Sequence, residues 1–286
     1  MKVIDVCLPD HHEIILEGDE HRGSLLFMED GLLSCHDYVM SAPNRYIIKM
    51  GDLIEAIMMD DKRMDVRSTK SYLLSQIKDC FVGMLPVKDR IITIPDGNHE
   101  LSAYNKLGEN ITETWCNELN GLGSTVVYGT YSCVVCVRDS KGKLMYKIFA
   151  THGHKGIGTA ADDPQRQLAN MRLALKRHLK EKMSDCVIMA KGHAHKLIVT
   201  EPVPTRIMTT SGKCGKIETR YMNADNNDRY IHPDHRWYVC TGSFMKLYGN
   251  GFSGYAERGE YDPVDLGFCI VKVHDKHVVS VDKVIL

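Results

Sequence analysis

The chain has 286 residues, 43% of them hydrophobic, and a formal net charge of −1. This composition excludes a disordered chain, which would combine low hydrophobicity with high net charge, and it allows a substantial buried core. The balance of charges also argues against a protein that binds long nucleic acid by overall charge, although basic residues segregated on one surface would still allow nucleic acid as a partner.

Short apolar runs rich in β-branched residues alternate with amphipathic stretches along the chain. Buried strands are predicted at residues 13–17, 46–50, 90–94, 145–150 and 186–190. Helices are predicted at residues 71–85, 110–122 and 164–183. Hairpins are predicted from residues 126–138 with 144–150, and from residues 267–274 with 278–284. The alternation favours an α/β fold with its site at the carboxyl ends of the strands.

Five short segments carry acids, histidines and an amide next to glycine. They are GDEH at 18–21, GDLIE at 51–55, GNHE at 97–100, THGH at 151–154 and GHAH at 192–195. Carboxylate, imidazole and amide oxygen are the ligand types that hard or borderline divalent metals prefer. The candidate metal ligands are Asp19, His21, Asp52, Asn98, His152, His193 and His195. This set is large enough for two metals if one carboxylate bridges them.

Two metals about 3.5–4 Å apart can activate a water and hold both oxygens of a phosphoryl displacement. The leaving oxygen still needs a proton or a positive neighbour, and His99 is the candidate catalytic residue for that role. Glu100 is the second catalytic candidate, because a carboxylate beside the histidine could orient it and raise its basicity.

The five segments, in this order, resemble the motifs of the calcineurin-like metallophosphoesterases. That resemblance covers roughly residues 13 to 200 and implies a four-layer α/β/β/α sandwich of two mixed β-sheets flanked by helices. It implies one metal on Asp19, His21, Asp52 and His195, and the other on Asp52, Asn98, His152 and His193. It further implies that Asp52 bridges the metals, that a hydroxide between them attacks phosphorus, and that His99 is the catalytic histidine.

Three positions depart from the family pattern. Glu55 stands where Asp is usual, without the Arg-Gly that follows it in protein phosphatases, which argues against a protein phosphatase. Asp96 precedes Gly97 as an extra acidic residue. The fourth segment offers two histidines, of which His152 is the preferred ligand because it follows the strand directly, and His154 is the candidate substrate-binding residue.

Other segments leave alternatives open. Cys133 and Cys136 form a Cys-x-x-Cys pattern within a strand, where the two side chains point to opposite faces, so burial is favoured over a redox or zinc site. His232 and His235 are expected to be surface residues, with a loop over the site as the alternative. The polar residues 209–236 suggest an insertion or long loop. Residues 239–271 weakly resemble phosphoesterases of phages and their bacterial hosts.

The predicted helix 164–183 is basic. Its cations are Arg166, Arg172, Lys176, Arg177, Lys180 and Lys182. A solvated face is favoured over a track for a nucleic-acid backbone.

The remaining features favour a single cytoplasmic domain over residues 1–286. There is no repeat, low-complexity tract or linker, and the N-terminus lacks the basic and apolar pattern of a signal peptide. No apolar run is long enough for a membrane span, so no membrane partner is expected. The ten cysteines follow no disulfide spacing and are expected to be reduced, as in bacterial or phage-infected host cytoplasm.

We therefore expect a dinuclear metal-dependent phosphoester hydrolase, most simply a phosphodiesterase. Mn²⁺ suits the nitrogen and oxygen ligands best, with Zn²⁺ and Fe²⁺ as alternatives. A DNA exonuclease or endonuclease resembling the SbcD type and a phosphomonoesterase are alternative activities. A non-catalytic metal-binding scaffold is disfavoured, because a scaffold has no need for His99 beside Asn98.

Overall fold

The computed structural model describes residues 1–61, 64–158, 160–211, 215–222 and 229–286. The strands are β1 (Lys2–Cys7), β2 (His12–Glu17), β3 (Arg45–Lys49), β4 (Ile91–Ile94), β5 (Val127–Tyr128), β6 (Ser132–Arg138), β7 (Leu144–Thr151), β8 (Ile188–Lys191), β9 (Leu197–Thr200), β10 (Thr205–Ser211), β11 (Lys216–Met222), β12 (Trp237–Thr241), β13 (Gly267–His274) and β14 (His277–Ile285). The helices are α1 (Glu29–Met40), α2 (Leu73–Met84), α3 (Asn98–Leu107), α4 (Ile111–Gly121), α5 (Pro164–Leu179) and α6 (Tyr255–Arg258).

The strands build two large mixed sheets and one small hairpin. The first large sheet has the order β1-β6-β7-β8-β12-β9, and the second has the order β14-β13-β2-β3-β4-β5. In the second sheet β2, β3, β4 and β5 run parallel, whereas β13 is antiparallel to both β2 and β14. In the first, β7, β8 and β12 run parallel and β9 is antiparallel to β12. β6 is antiparallel to β7 but parallel to the edge strand β1.

Alternating side chains of the central strands pack into two different hydrophobic cores. Ile14 and Leu16 of β2 pack in the cluster between the two sheets, together with side chains of the other sheet such as Val135 and Ile148. Ile15, between them in sequence, packs instead in the cluster beneath the helices. A strand places successive side chains on opposite faces. A strand that is buried on both faces therefore has a continuous run of apolar residues in its sequence.

Helices cover the outer face of each sheet. The side chains of α1, α2, α3 and α4 pack against the sheet that holds β2, β3 and β4. Leu175 and Leu179 of α5 pack against Phe149 and Met189 on the outside of the other sheet. Each fully buried aliphatic side chain of this size stabilises the fold by about 1.5–3 kcal/mol. The predicted sandwich of two mixed sheets flanked by helices is confirmed.

The predicted elements agree closely with those observed. All five predicted strands and both large-sheet hairpins are present, and the helix predicted to reach residue 183 ends earlier, at Leu179. Cys133 is buried between the sheets and Cys136 is buried on the α5 side, so the opposite-face prediction is confirmed. No helix among the described ranges is both long enough and apolar enough to cross a membrane.

Residues 209–236 are partly strand rather than a long loop. β10 and β11 pair as an antiparallel hairpin, with Thr205 opposite Met222 and Ser211 opposite Lys216. Residues 212–214 and 223–228 of this predicted insertion lie outside the described ranges. Most of the β11 side chains are solvent-exposed, which explains why the stretch looks like a loop in sequence.

Candidate metal centre

The five polar segments converge where strands from both large sheets end. Asp19 follows β2, Asp52 follows β3, and Asn98 opens α3 just after β4. His152 directly follows β7, and His193 lies two residues beyond β8. Because the carboxyl ends of parallel strands open at one edge of a sheet, these side chains meet at a single site.

Five of the predicted ligands have a left-handed backbone. The φ angles are 52° at Asp19, 53° at His21, 52° at Asp52, 67° at His193 and 50° at His195. This conformation costs about 1–2 kcal/mol for a residue with a Cβ. Such backbone strain clusters at functional sites, where the surrounding structure enforces it.

Hydrogen bonds from neighbouring loops hold the strained turn in place. The N–H of Asp19 donates to Gly51 O over 2.9 Å, and the N–H of His21 donates to Asp52 O over 3.0 Å. The carbonyl oxygen of Asp19 accepts from Phe244 N over 3.1 Å and from Ser243 Oγ over 2.9 Å. The segment after β12, which the sequence linked to phosphoesterases only by a weak resemblance over residues 239–271, therefore fixes the first ligand turn.

The predicted ligands form two adjacent groups of donor atoms. In one group, His195 Nε2 lies 3.2 Å from Asp19 Oδ1 and 3.1 Å from His21 Nε2. The ligand atoms of these three residues all lie within 4.8 Å of one another. Metal–ligand bonds of about 2.0–2.2 Å give ligand–ligand distances of about 2.8–3.6 Å, so this spacing fits one divalent ion.

The second group is equally close. Asn98 Oδ1 lies 3.0 Å from His152 Nε2 and 2.7 Å from His193 Nδ1, and Asp52 Oδ2 lies 3.1 Å from His152 Nε2. The same Asp52 oxygen lies 3.9 Å from His21 Nε2 in the first group. Asp52 thus faces both groups, as a bridging carboxylate would.

The charges of the site also fit cations. Asp19 and Asp52 are both buried, and their ion-pair partners among the described residues are histidines, without a Lys or Arg. A buried carboxylate needs a compensating charge or a metal. Burial lowers the pKa of His152, but Asp52 outweighs it and raises that pKa to about 9, which reflects the negative field acting on this edge of the site.

Outer hydrogen bonds orient the imidazoles. His21 Nδ1 lies 2.7 Å from Glu55 Oε2, and His152 Nδ1 lies 2.8 Å from Met50 O. His99 Nδ1 donates to the carbonyl oxygen of Glu55. Each contact keeps the proton on Nδ1, so that Nε2 faces the site with its lone pair or a second proton.

Glu100 makes backbone contacts that the sequence did not predict. Its carboxylate accepts hydrogen bonds from the backbone N–H groups of Asp52, Leu53, Ile54 and Gly97. The structure therefore places Glu100 as a clamp on the Asp52 loop, and the carbonyl of Glu55 orients the His99 ring instead. Burial, together with the Asp52 charge, raises the pKa of Glu100 to about 7.

The other departures from the family pattern are accommodated locally. Asp96 is buried and accepts a hydrogen bond from the Tyr128 hydroxyl, so its side chain is engaged outside the ligand groups. Gly97 is required for close approach, because a Cβ there would lie 2.1 Å from Asp52 Oδ1. His154 is exposed, and its ring stacks on His193 at a centroid distance of 5.5 Å.

His232 and His235 do not belong to the site. His235 is buried beside β12, and its Nε2 lies 3.0 Å from the hydroxyl of Thr205. His232 caps the short turn that contains His235 and is largely exposed. The surface interpretation is confirmed for His232, whereas His235 is a buried structural residue.

A buried ion cluster that the sequence did not reveal lies beneath the Asp19 turn. Lys49 is wholly buried, and its Nζ donates to Glu17 and, over 2.8 Å, to Glu20 Oε1. Glu20 also accepts from Arg22 Nε over 2.6 Å. Since Glu20 lies between Asp19 and His21 in sequence, this cluster anchors the ligand turn from below.

The metal-ligand edge opens into a cavity of about 570 Å³. Its apolar walls are Ile57, Ile157, Leu247 and Val264. The charged side chains of the lining include Lys196, Glu260 and Asp262. Among the described lining residues, Lys196 is the only Lys or Arg. The cavity can therefore hold an ester with apolar groups but offers little extra positive charge beyond the metal positions.

Comparison with known proteins finds no matching family model and no matching curated protein. Among solved structures, the chain is similar to a conserved uncharacterized protein of Streptococcus pneumoniae TIGR4, described as a predicted phosphoesterase. The identity is 12%, the TM-score 0.31, and the match covers 96% of this chain and 98% of that one.

The chain is also similar to NAD nucleotidase from Haemophilus influenzae. The identity is 11%, the TM-score 0.41, and the match covers 96% of this chain and 50% of that one, so this chain spans half its length. At such low similarity, the roles of the site residues rest on the order of the motifs and on the geometry of the site.

The fold and the ordered ligand segments agree with the expectation from the sequence. Two mixed sheets flanked by helices carry acids, histidines and an amide at their strand ends in the predicted order. This is the arrangement that the resemblance of the five motifs to the calcineurin-like metallophosphoesterases predicts.

Proposed function

We propose that the chain is a dinuclear metal-dependent phosphoesterase that acts on phosphodiesters. The observation that carries the proposal is the pair of ligand groups that share the buried Asp52, with His99 beside them. When bound, two divalent ions supply Lewis-acid chemistry that activates water and neutralises charge on the phosphate. Mn²⁺ is our choice of metal for this set of nitrogen and oxygen donors.

His99 is the residue that we propose protonates the leaving oxygen. Its Nδ1 is held by the Glu55 carbonyl, and its Nε2 lies 4.0 Å from Asp52 Oδ2 at the cavity wall. With the Nδ1 proton held by that carbonyl, Nε2 can carry a second proton and pass it to the departing alkoxide, which would otherwise leave as a strong base.

The walls of the cavity favour a diester over a monoester. A phosphodiester carries one negative charge and two organic groups, whereas a phosphomonoester carries close to two charges at neutral pH. Glu260 and Asp262 repel the second charge, and the four apolar side chains provide surface for a second organic group. Lys196 remains as the one cation of the described lining available to the substrate.

A paired assay tests the proposal. Metal-stripped protein is reconstituted with Mn²⁺ and given bis-p-nitrophenyl phosphate or p-nitrophenyl phosphate. We expect faster diester cleavage by the unsubstituted protein and by the exposed-histidine control His232→Ala. His99→Ala should lose far more activity on a diester with an alkoxide leaving group, such as a dinucleotide, than on the p-nitrophenyl diester, because p-nitrophenolate leaves without a proton. Faster monoester cleavage would overturn the diester preference, and no turnover of either ester would overturn the enzyme assignment.

A further inference from the structure

A basic groove runs along α5 beside the catalytic cavity. The groove has a volume of about 540 Å³ and is lined by Lys176, Arg177 and Lys180 together with Leu173. These residues share one face of α5 and its C-terminal end, because positions three or four apart in a helix lie above one another. Gly158 lines both this groove and the catalytic cavity, so the two spaces adjoin.

Much of the positive charge in the groove is uncompensated. Lys176 pairs with Asp234, but no carboxylate of the described residues pairs with Arg177. Lys180 has a 3.4 Å contact with the exposed Glu181, and an exposed pair of this kind contributes little. Both Arg177 and Lys180 are exposed to solvent and free to meet an anionic ligand.

The surroundings of the groove add to the positive field. Burial lowers the pKa of His178 in α5, and the nearby cations Lys191, Lys155 and Arg177 lower it further. Lys155 is exposed in the loop that joins β7 to α5, next to the glycine shared by the two spaces. Glu260 and Asp262 line the catalytic cavity but not the groove. A chain of phosphates that leaves the catalytic cavity is thus attracted towards the cations of α5.

We propose that the α5 groove binds backbone phosphates of a single-stranded nucleic acid whose scissile phosphodiester lies at the metal centre. This inference rests on the proposed function and assigns its substrate class. Arg177 and Lys180 contact phosphates, and the exposed Leu173, with 64% of its surface accessible, offers an apolar contact for a sugar or base. Contacts to phosphate position a strand without reading its sequence, so no base preference is expected from this groove.

Binding and turnover are measured separately. A fluorescein-labelled oligothymidylate of about 12 nucleotides, a length within the usual range for single-strand sites, is titrated into Mn²⁺-loaded His99→Ala protein and followed by anisotropy. The test variant adds Arg177→Gln and Lys180→Gln to this background. The control adds Arg172→Gln, which removes one charge from an exposed position of the same helix outside the groove.

We expect the double substitution to raise the dissociation constant about tenfold and to reduce the slope of log affinity against log salt by about 1–1.5. Arg172→Gln should change neither. With His99 intact, the double substitution should leave hydrolysis of bis-p-nitrophenyl phosphate unchanged, because that ester does not reach the groove.

Two results would overturn the groove assignment. One is an affinity for the oligothymidylate that does not depend on Arg177 and Lys180 specifically: the double variant binds as before, or Arg172→Gln weakens binding by the same factor. The other is equal competition by inorganic tripolyphosphate at matched charge, which would make the groove a site for small polyphosphates. If the groove does not bind the strand but bis-p-nitrophenyl phosphate is still hydrolysed, the proposed phosphoesterase activity stands. If the protein binds the strand but hydrolyses no ester, only the catalytic proposal is contradicted.

Discussion

The carboxylate of Glu100 clamps the loop that holds the bridging ligand, and its replacement should destabilise the protein. Oε1 accepts from Leu53 N over 2.7 Å and from Ile54 N over 3.2 Å. Oε2 accepts from Asp52 N over 2.9 Å and from Gly97 N over 2.8 Å. Glu100→Gln keeps the shape of the side chain but turns one of these oxygens into an NH₂ group, which cannot accept.

The size of the effect follows from the donors left without a partner. Two of the four buried N–H groups would face the new NH₂ group, and each unsatisfied buried donor costs about 1–3 kcal/mol. Removal of a desolvated charge returns part of that cost, which leaves a net loss of about 3 kcal/mol in the free energy of unfolding. A chain of 286 residues has an unfolding entropy of about 0.6 kcal/mol/K, so Tm should fall by about 5 °C.

Thermal unfolding of metal-free and Mn²⁺-loaded protein measures this effect. Glu118→Gln, at an exposed position of α4, is the matched control and should leave Tm unchanged. A Tm for Glu100→Gln within about 1 °C of that of the unsubstituted protein would contradict the stabilising role of the Glu100 carboxylate.

Three further substitutions test other contacts of the site. His99→Gln should lower kcat for a diester with an alkoxide leaving group by about 10²–10⁴-fold with two metals still bound, because it removes only the proton donor. Steady-state kinetics with metal analysis checks this. Glu55→Gln should lower the affinity for one of the two metals by about 10–100-fold, because it weakens the contact that orients His21. Metal titration calorimetry should show one site with lower affinity and one with unchanged affinity. Lys49→Met should cost about 3–5 kcal/mol, because it leaves buried Glu17 and Glu20 without their shared cation; denaturant unfolding that shows less than about 1 kcal/mol would contradict this.

The strand ends of the site could be predicted because they depend on local sequence. Apolar runs such as residues 13–17 and 46–50 are buried on both faces and therefore show no polar alternation, and each runs into a polar turn. The rule that sites lie at the carboxyl ends of strands then brings Asp19 and Asp52 together without further information.

Elements with weaker local signals could not be predicted in the same way. α3 begins at Asn98, inside a ligand segment whose glycine and polar residues resemble a loop. β1 lies at a sheet edge with mostly exposed or partly exposed side chains, and its pairing partner β6 is far away in sequence. Such pairings depend on the whole fold rather than on a local pattern.

The contacts behind the ligands depend on how distant loops meet. The pairing of Glu55 with His21 joins residues from two loops, and the clamp by Glu100 joins α3 to the loop after β3. In sequence, Glu55 and Glu100 are ordinary acids beside histidines, and only their mutual placement separates their roles. The ion cluster around Lys49 is similarly hidden, because a lysine within an apolar run gives no sign of its partners.

Counting bound metals is the most direct test of the dinuclear centre. Protein stripped of metal, dialysed against Mn²⁺ and freed of excess ion is analysed by inductively coupled plasma mass spectrometry, alongside Asp52→Ala and His232→Ala. We expect two ions per chain in the unsubstituted protein and in His232→Ala. We expect at most one in Asp52→Ala, which loses the carboxylate facing both ligand groups. One ion or none in the unsubstituted protein, or two in Asp52→Ala, would contradict a centre built around a shared Asp52.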